Sequence, residues 1–150
     1  MGGISVRRWL MSGIAAGLLI WLMEGAASAV YLDAMIAALE PHGLALDTTP
    51  TGIGLSLVVS LLAGLTLVFL YAAVRPRFGP GPRTAVTVAF VLWAGSTLIA
   101  LIGYRMLGLF PPGLLASWGA TGLVEYVVAA LTGGWIYRES TPVPPAPELP

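Results

Sequence analysis

The chain predicts an all-α integral membrane bundle of four transmembrane helices with both termini in the cytoplasm. Three observations predict it. Hydrophobic residues make up 57% of the 150 residues and charged residues only 9%, with mean hydropathy +0.89. A soluble domain carries about 25% charged residues, so this composition cannot cover a water-facing surface. Second, the apolar runs 9–32, 53–74, 85–109 and 114–137 each reach the ~20 residues needed to cross about 30 Å of hydrocarbon. Helix is the expected form, because a lone spanning segment must satisfy its own backbone hydrogen bonds. Third, Arg7, Arg8, Arg75, Arg77, Arg83 and Arg138 mark one side and only Arg105 the other. The positive-inside rule assigns the arginine-rich side to the cytoplasm.

The first run follows Arg7-Arg8 and carries Gly13, Gly17, Glu24, Ser28 and Tyr31 at helical spacing. Ala27-Ser28-Ala29 also has the pattern of a signal-peptide cleavage site. The run is longer than a usual signal core, however, and Glu24 interrupts its end. Residues 34–39 are helical in character and extend this helix beyond the membrane or lie along its surface, until Glu40-Pro41-His42-Gly43 ends it. The second run starts at Thr49-Pro50, a capping hydroxyl followed by a first-turn proline, and carries Ser56, Ser60, Gly64 and Tyr71. The segment from Arg75 to Arg83 reads as a stiff, basic inner loop. Its Arg75, Arg77 and Arg83 set topology and touch anionic headgroups, or else dock a partner. Thr84 is placed to cap the third run, whose stripe is Thr87, Ala94, Thr97 and Tyr104. Phe110-Pro111-Pro112-Gly113 breaks the chain before the fourth run, with Ser117, Thr121, Glu125, Ala129 and Thr132.

These stripes should face one another, since small residues let helices approach closely in lipid and hydroxyls bond across them. Gly13-x-x-x-Gly17 and Ser56-x-x-x-Ser60-x-x-x-Gly64 would serve oligomerisation equally well. Residues 1–139 form the membrane domain. The tail, residues 140–150, is rich in proline and reads as extended. Trp9, Trp135 and Tyr137 fall where an interfacial aromatic belt would put them.

Several chemistries are excluded. The chain has no Cys, hence no disulfide or thiolate site, and its single His, His42, builds no multi-histidine metal site. Net charge is zero and Lys is absent, so nothing points to nucleic acid.

Glu24 and Glu125 carry the most information. Glu24 lies 15 residues beyond Trp9 and Glu125 12 residues before Tyr137, so both sit roughly 18–22 Å from the arginine side. A carboxylate at that depth must pair, reach water or take up a proton. Three readings stand. The pair is structural, hydrogen-bonded in neutral form. Or, with Tyr31, Tyr104 and Tyr126, it lines a pocket for lipid, quinone or pigment. Or it exchanges protons with a transported substrate. His42 is a turn residue or, less simply, an axial ligand of a tetrapyrrole. Arg105 snorkels to headgroups or turns toward Asp33 or Glu40. No cofactor is specified.

The stretch Leu70-Tyr71-Ala72-Ala73-Val74-Arg75-Pro76-Arg77-Phe78-Gly79-Pro80-Gly81-Pro82-Arg83-Thr84-Ala85, with Gly133-Gly134-Trp135-Ile136-Tyr137-Arg138-Glu139, resembles a group of small bacterial four-helix inner-membrane proteins without an established activity. The resemblance spans most of residues 9–139. It implies a bacterial inner-membrane location and four-helix architecture, and no chemistry. The small multidrug transporters also place a Glu in their first helix, but the flanking residues here do not match and Glu125 is foreign to them. With no catalytic constellation, the expectation is a non-enzymatic accessory or scaffolding subunit of a larger membrane complex, one that binds lipid or pigment and contacts the bilayer and a membrane-protein partner or a second copy. A small proton-coupled transporter built on Glu24 and Glu125 is the alternative, and an enzyme acting on lipid or quinone a further one.

Overall fold

The computed structural model describes residues 4–137. Arg138 and the segment 140–150 lie outside the described residues, and so do the topology and tail readings that rest on them. Four helices fill the described chain, without a strand among its residues: α1 (Val6–Leu39), α2 (Pro50–Phe78), α3 (Pro82–Leu107) and α4 (Pro112–Ile136). Each is long and apolar enough to cross a membrane, which fits a multi-pass membrane protein. Leu10, Ile14, Leu18 and Leu22 form an exposed apolar ridge along α1. The four-residue step puts them on one face.

Helix ends follow local chemistry, with corrections to the expected boundaries. α1 is one continuous helix of 34 residues, about 51 Å long, so 34–39 extend it directly. It closes in a single turn at Glu40–His42, with Gly43 at φ 66°. Thr49 caps α2 as expected, its hydroxyl accepting from Gly52 N at 3.4 Å, with Pro50 in the first turn. The basic segment is mostly helix rather than loop. α2 runs through Arg75, Pro76 and Arg77 to Phe78, and α3 restarts at Pro82. Pro76 is tolerated because it removes one N–H only in the last turn, and Gly79 N donates to Arg75 O at 2.9 Å just beyond it. The true turn is Gly79-Pro80-Gly81. Gly79 at φ 82° and Gly81 at φ 135° hold backbone angles that side chains resist. Thr84 is therefore not a cap. Gly81 holds that position, and the buried Thr84 hydroxyl donates back to Gly79 O at 2.8 Å.

Helix α4 touches the other three. α1 packs on α2 and α4, α3 on α2 and α4, and α1 and α3 lie diagonally with no close backbone approach. The tightest seam is α1–α2. A Cβ on Gly17 would lie 2.6 Å from Leu61 Cα, and one on Gly64 would overlap the backbone of Gly13 and Gly17. The small-residue motifs of α1 and α2 are thus spent inside the bundle, on one another. Trp9 Nε1 donates to Leu65 O at 2.9 Å across the same seam. Trp9 is half-buried and Tyr137 buried against the bundle, and Trp135 is exposed.

Two apolar clusters result. One, toward the end bearing Arg7, Arg8, Arg75, Arg77 and Arg83 (the arginine end), joins Ala16, Ile20, Leu67, Val68, Val88 and Ala129. The other, toward the end bearing Asp33, Glu40 and Asp47 (the acidic end), joins Tyr31, Leu39, Leu101, Phe110, Leu114 and Leu115. The expected inward stripes hold on α1 and on most of α2 and α3, where Ala94, Thr97 and Tyr104 are half-buried. Thr87 faces outward, and the buried face is Thr84, Ala85, Val88 and Ala89. Ser117 of α4 is likewise exposed. A hydroxyl in a helix can bond its own i−4 carbonyl. Thr87 does so to Arg83 O and Ser117 to Gly113 O, so neither needs the interior.

Candidate functional site

The two glutamates meet in the layer between these clusters. α1 and α4 are antiparallel, with Ala16 against Gly133 near one end and the Tyr31 ring against Trp118 near the other. Tyr31 follows Glu24 by seven residues and Trp118 precedes Glu125 by seven. Two helical turns later on one helix and earlier on its antiparallel partner is the same level. Glu24 and Glu125 accordingly face one another in side-chain contact across the seam. Glu125 is 4% exposed, and its Oε1 has no hydrogen-bond partner among the described residues. Glu24 is half-buried and accepts from the Tyr31 hydroxyl through Oε1 at 2.8 Å.

The three candidate tyrosines do not form one pocket. Only Tyr31 joins the carboxyls. Tyr104 stacks on Trp118, with centroids 5.9 Å apart and planes at 15°, and Phe110 meets both rings edge-on. Trp118 thereby bridges Tyr31 of α1 and Tyr104 of α3, helices that never approach directly. Its seven-residue offset from Glu125 is the signal that would have found it in the sequence. Tyr126 turns toward α3, its hydroxyl 3.5 Å from Ser96 Oγ. Tyr104, Tyr126, Trp118 and Ser96 line a separate cavity of about 250 Å³.

Helix α3 is irregular at this level. Residues Ala94–Leu98 form a π-helical turn, which includes Ser96 beside Tyr126 and Thr97 beside Gly122. These two contacts lie on either side of Glu125 along α4. Single π turns within α-helices recur at functional sites.

Glu24 also opens outward. A groove of about 630 Å³ lies between α1 and α2, lined by Glu24, Trp21, Ser28, Ser56 and Ser60 and reaching Asp47 and Thr48 at its mouth. It exists because α2 begins low against α1. Trp21 Nε1 donates to Ser56 Oγ at 3.0 Å, so Pro50 stands only two turns beyond Trp21, while α1 continues to Leu39. The α1–α2 loop folds back over the gap, where Gly52 lies too close to the Asp47 backbone to carry a Cβ. At the mouth, the Thr49 hydroxyl and backbone N–H donate to Asp47 Oδ1. These bonds hold its carboxyl below the usual carboxylate range and keep it charged at neutral pH.

The remaining candidates stand apart. His42 is exposed in the turn that ends α1. Arg75 is half-buried beside Tyr71 and Gly81 at a cavity of about 410 Å³, and Arg77 and Arg83 are exposed. Arg105 is exposed in the last turn of α3. Compared with known proteins, the chain matches no family and has no significant counterpart among curated sequences or solved structures.

Proposed function

We propose that this protein is a small proton-linked membrane carrier whose Glu24–Glu125 pair exchanges a proton for a cation arriving through the α1–α2 groove. One observation carries the reading: Glu24 stands between a buried partner carboxyl and a groove that reaches the acidic end. Two carboxyls in contact in a low-dielectric layer favour sharing a proton over bearing two charges. An incoming cation substitutes for that proton. Trp21 supplies an aromatic face for such a guest, Ser28 and Ser56 supply hydroxyls, and charged Asp47 attracts it at the mouth. Linkage makes the exchange reciprocal, so cation affinity rises as proton concentration falls.

The test uses the full chain in weakly buffered detergent, with tetraphenylphosphonium as probe and a pH-indicator dye as readout. Proton release that saturates with bound cation is expected, and it is lost in Glu24→Gln and in Glu125→Gln. Cation binding without proton release, or equal release by both variants, removes the reading.

A second reading is an accessory subunit of a larger complex. It is favoured by α2, whose buried residues all lie between Ser60 and Ala72. The acidic-end half of α2 offers Leu55, Val58 and Val59 to lipid or to a partner helix. Co-purification of a membrane partner that survives Glu24→Gln but not Val58→Trp separates it from the first. Both readings take the bacterial inner membrane as the site, with the arginine end in the cytoplasm.

A further inference from the structure

We propose that the seam between α3 and α4 at the acidic end holds one acyl chain of an anionic phospholipid, with Arg105 as its headgroup contact. The groove there has a volume of about 610 Å³. It exists because α4 turns small residues, Ala116, Gly119 and Ala120, toward α3. Trp93 closes its deep end, its indole N–H donating to Gly119 O at 3.0 Å. From Leu123 to Pro112 the groove follows α4 over eleven residue-to-residue steps, about 16 Å at 1.5 Å per residue. That shape suits an extended hydrocarbon chain and is far too long and apolar for a free inorganic anion.

Charge selects the headgroup. Arg105 lines the groove two residues from the end of α3, the level at which a phosphate would sit above its acyl chain. Among the described residues it is the one arginine at the acidic end, where Asp33, Glu40 and Asp47 belong to α1 and its following loop. The first turn of α4 adds to the attraction. Pro112 lines the same groove, and no side chain caps that helix start, so its partial positive charge faces the headgroup level. A net-neutral phospholipid would fill the hydrocarbon part equally well, but its own ammonium would compete with both positive features for its phosphate.

Native mass spectrometry of the full chain, incubated with equal amounts of phosphatidylglycerol and phosphatidylcholine, tests this. One retained lipid is expected, with phosphatidylglycerol preferred about fivefold, the ~1 kcal/mol that one arginine contributes near an anionic headgroup. Arg105→Gln should remove most of that preference while a lipid is still retained. Ala120→Trp, and independently the milder Ala116→Leu, fill the groove from positions exposed to it and should release the lipid while helicity is kept. Equal retention of both lipids by the unaltered chain, or an unchanged preference in Arg105→Gln, overturns the headgroup assignment. Full retention by both filling variants overturns the groove.

Discussion

The two halves of the bundle solve the same packing problem differently. At the arginine end small residues set the close approach: Gly13, Gly17 and Gly64 bring the α1 and α2 backbones into contact, and Ala16, Ala129 and Gly133 let α4 pack beside them, with Leu67, Val68 and Val88 filling between. At the acidic end α2 drops out of the core, and α1, α3 and α4 are held apart and joined by rings, with Trp118 between Tyr31 and Tyr104. In lipid, burying apolar area gives helices no special reason to associate, so association depends on dispersion contacts and hydrogen bonds. Close backbones supply these at one end and large flat side chains at the other. Where Gly13, Gly17 and Gly64 meet, no room is left, whereas helices spaced by larger side chains leave grooves. The two carboxyls of the interior, Glu24 and Glu125, lie where the first arrangement gives way to the second.

The sharpest way to break this contrast is to add bulk at the tight end. Gly64→Leu would drive a side chain into the Gly13–Gly17 backbone, which cannot relax as a flexible side chain can. A loss of roughly 3 kcal/mol or more is expected, read as the midpoint of unfolding in mixed detergent. By contrast, Gly54→Ala meets nothing within 4 Å and should stay within about 0.5 kcal/mol of the original. Equal effects at both positions would mean that α1 and α2 do not meet as described.

Removing the spacer at the other end comes next. Trp118→Ala deletes ring contacts with Tyr31, Tyr104 and Phe110, together worth roughly 2–4 kcal/mol at ~0.5–1.5 each. The same unfolding assay checks it, and once both Tyr31 and Tyr104 are already Leu only the Phe110 share of the ring-contact loss, about a third, should remain. Tyr31→Phe is milder. It keeps the ring and removes only the bond to Glu24, for a loss of about 1 kcal/mol, and Glu24→Gln in the same chain should shrink that loss.

The smallest effect belongs to Asp47. Its carboxyl is held below the usual range by Thr49, so its contribution to loop stability is complete above the ordinary carboxyl range. That contribution disappears as the pH falls through the lowered folded value. Asp47→Asn should flatten that part of the unfolding-midpoint profile and leave the bundle otherwise unchanged.

Much of this was legible in the sequence. Thr49-Pro50 announced the start of α2, and the prolines after Phe110 separated α3 from α4. The depth of Glu24 and Glu125 placed them level before any contact was known. Where the reading failed, a residue had a local alternative. Thr87 and Ser117 bonded their own helices, Pro76 was absorbed into a final turn, and Thr84 tied a glycine turn instead of capping a helix. Tyr126 shares a depth with the carboxyls yet turns to Ser96, because depth along a helix says nothing about rotation around it, and Tyr104 lies level with Trp118, two turns nearer the acidic end.

Composition and run length by themselves determined four helices long and apolar enough to span, since each segment satisfies its own backbone and answers to lipid individually. Only the tertiary structure decided that α1 and α3 lie diagonally, that α2 stops short, and that Glu24 faces both Glu125 and a groove. Those outcomes depend on how side-chain volumes on different helices mesh, and no single helix carries that information.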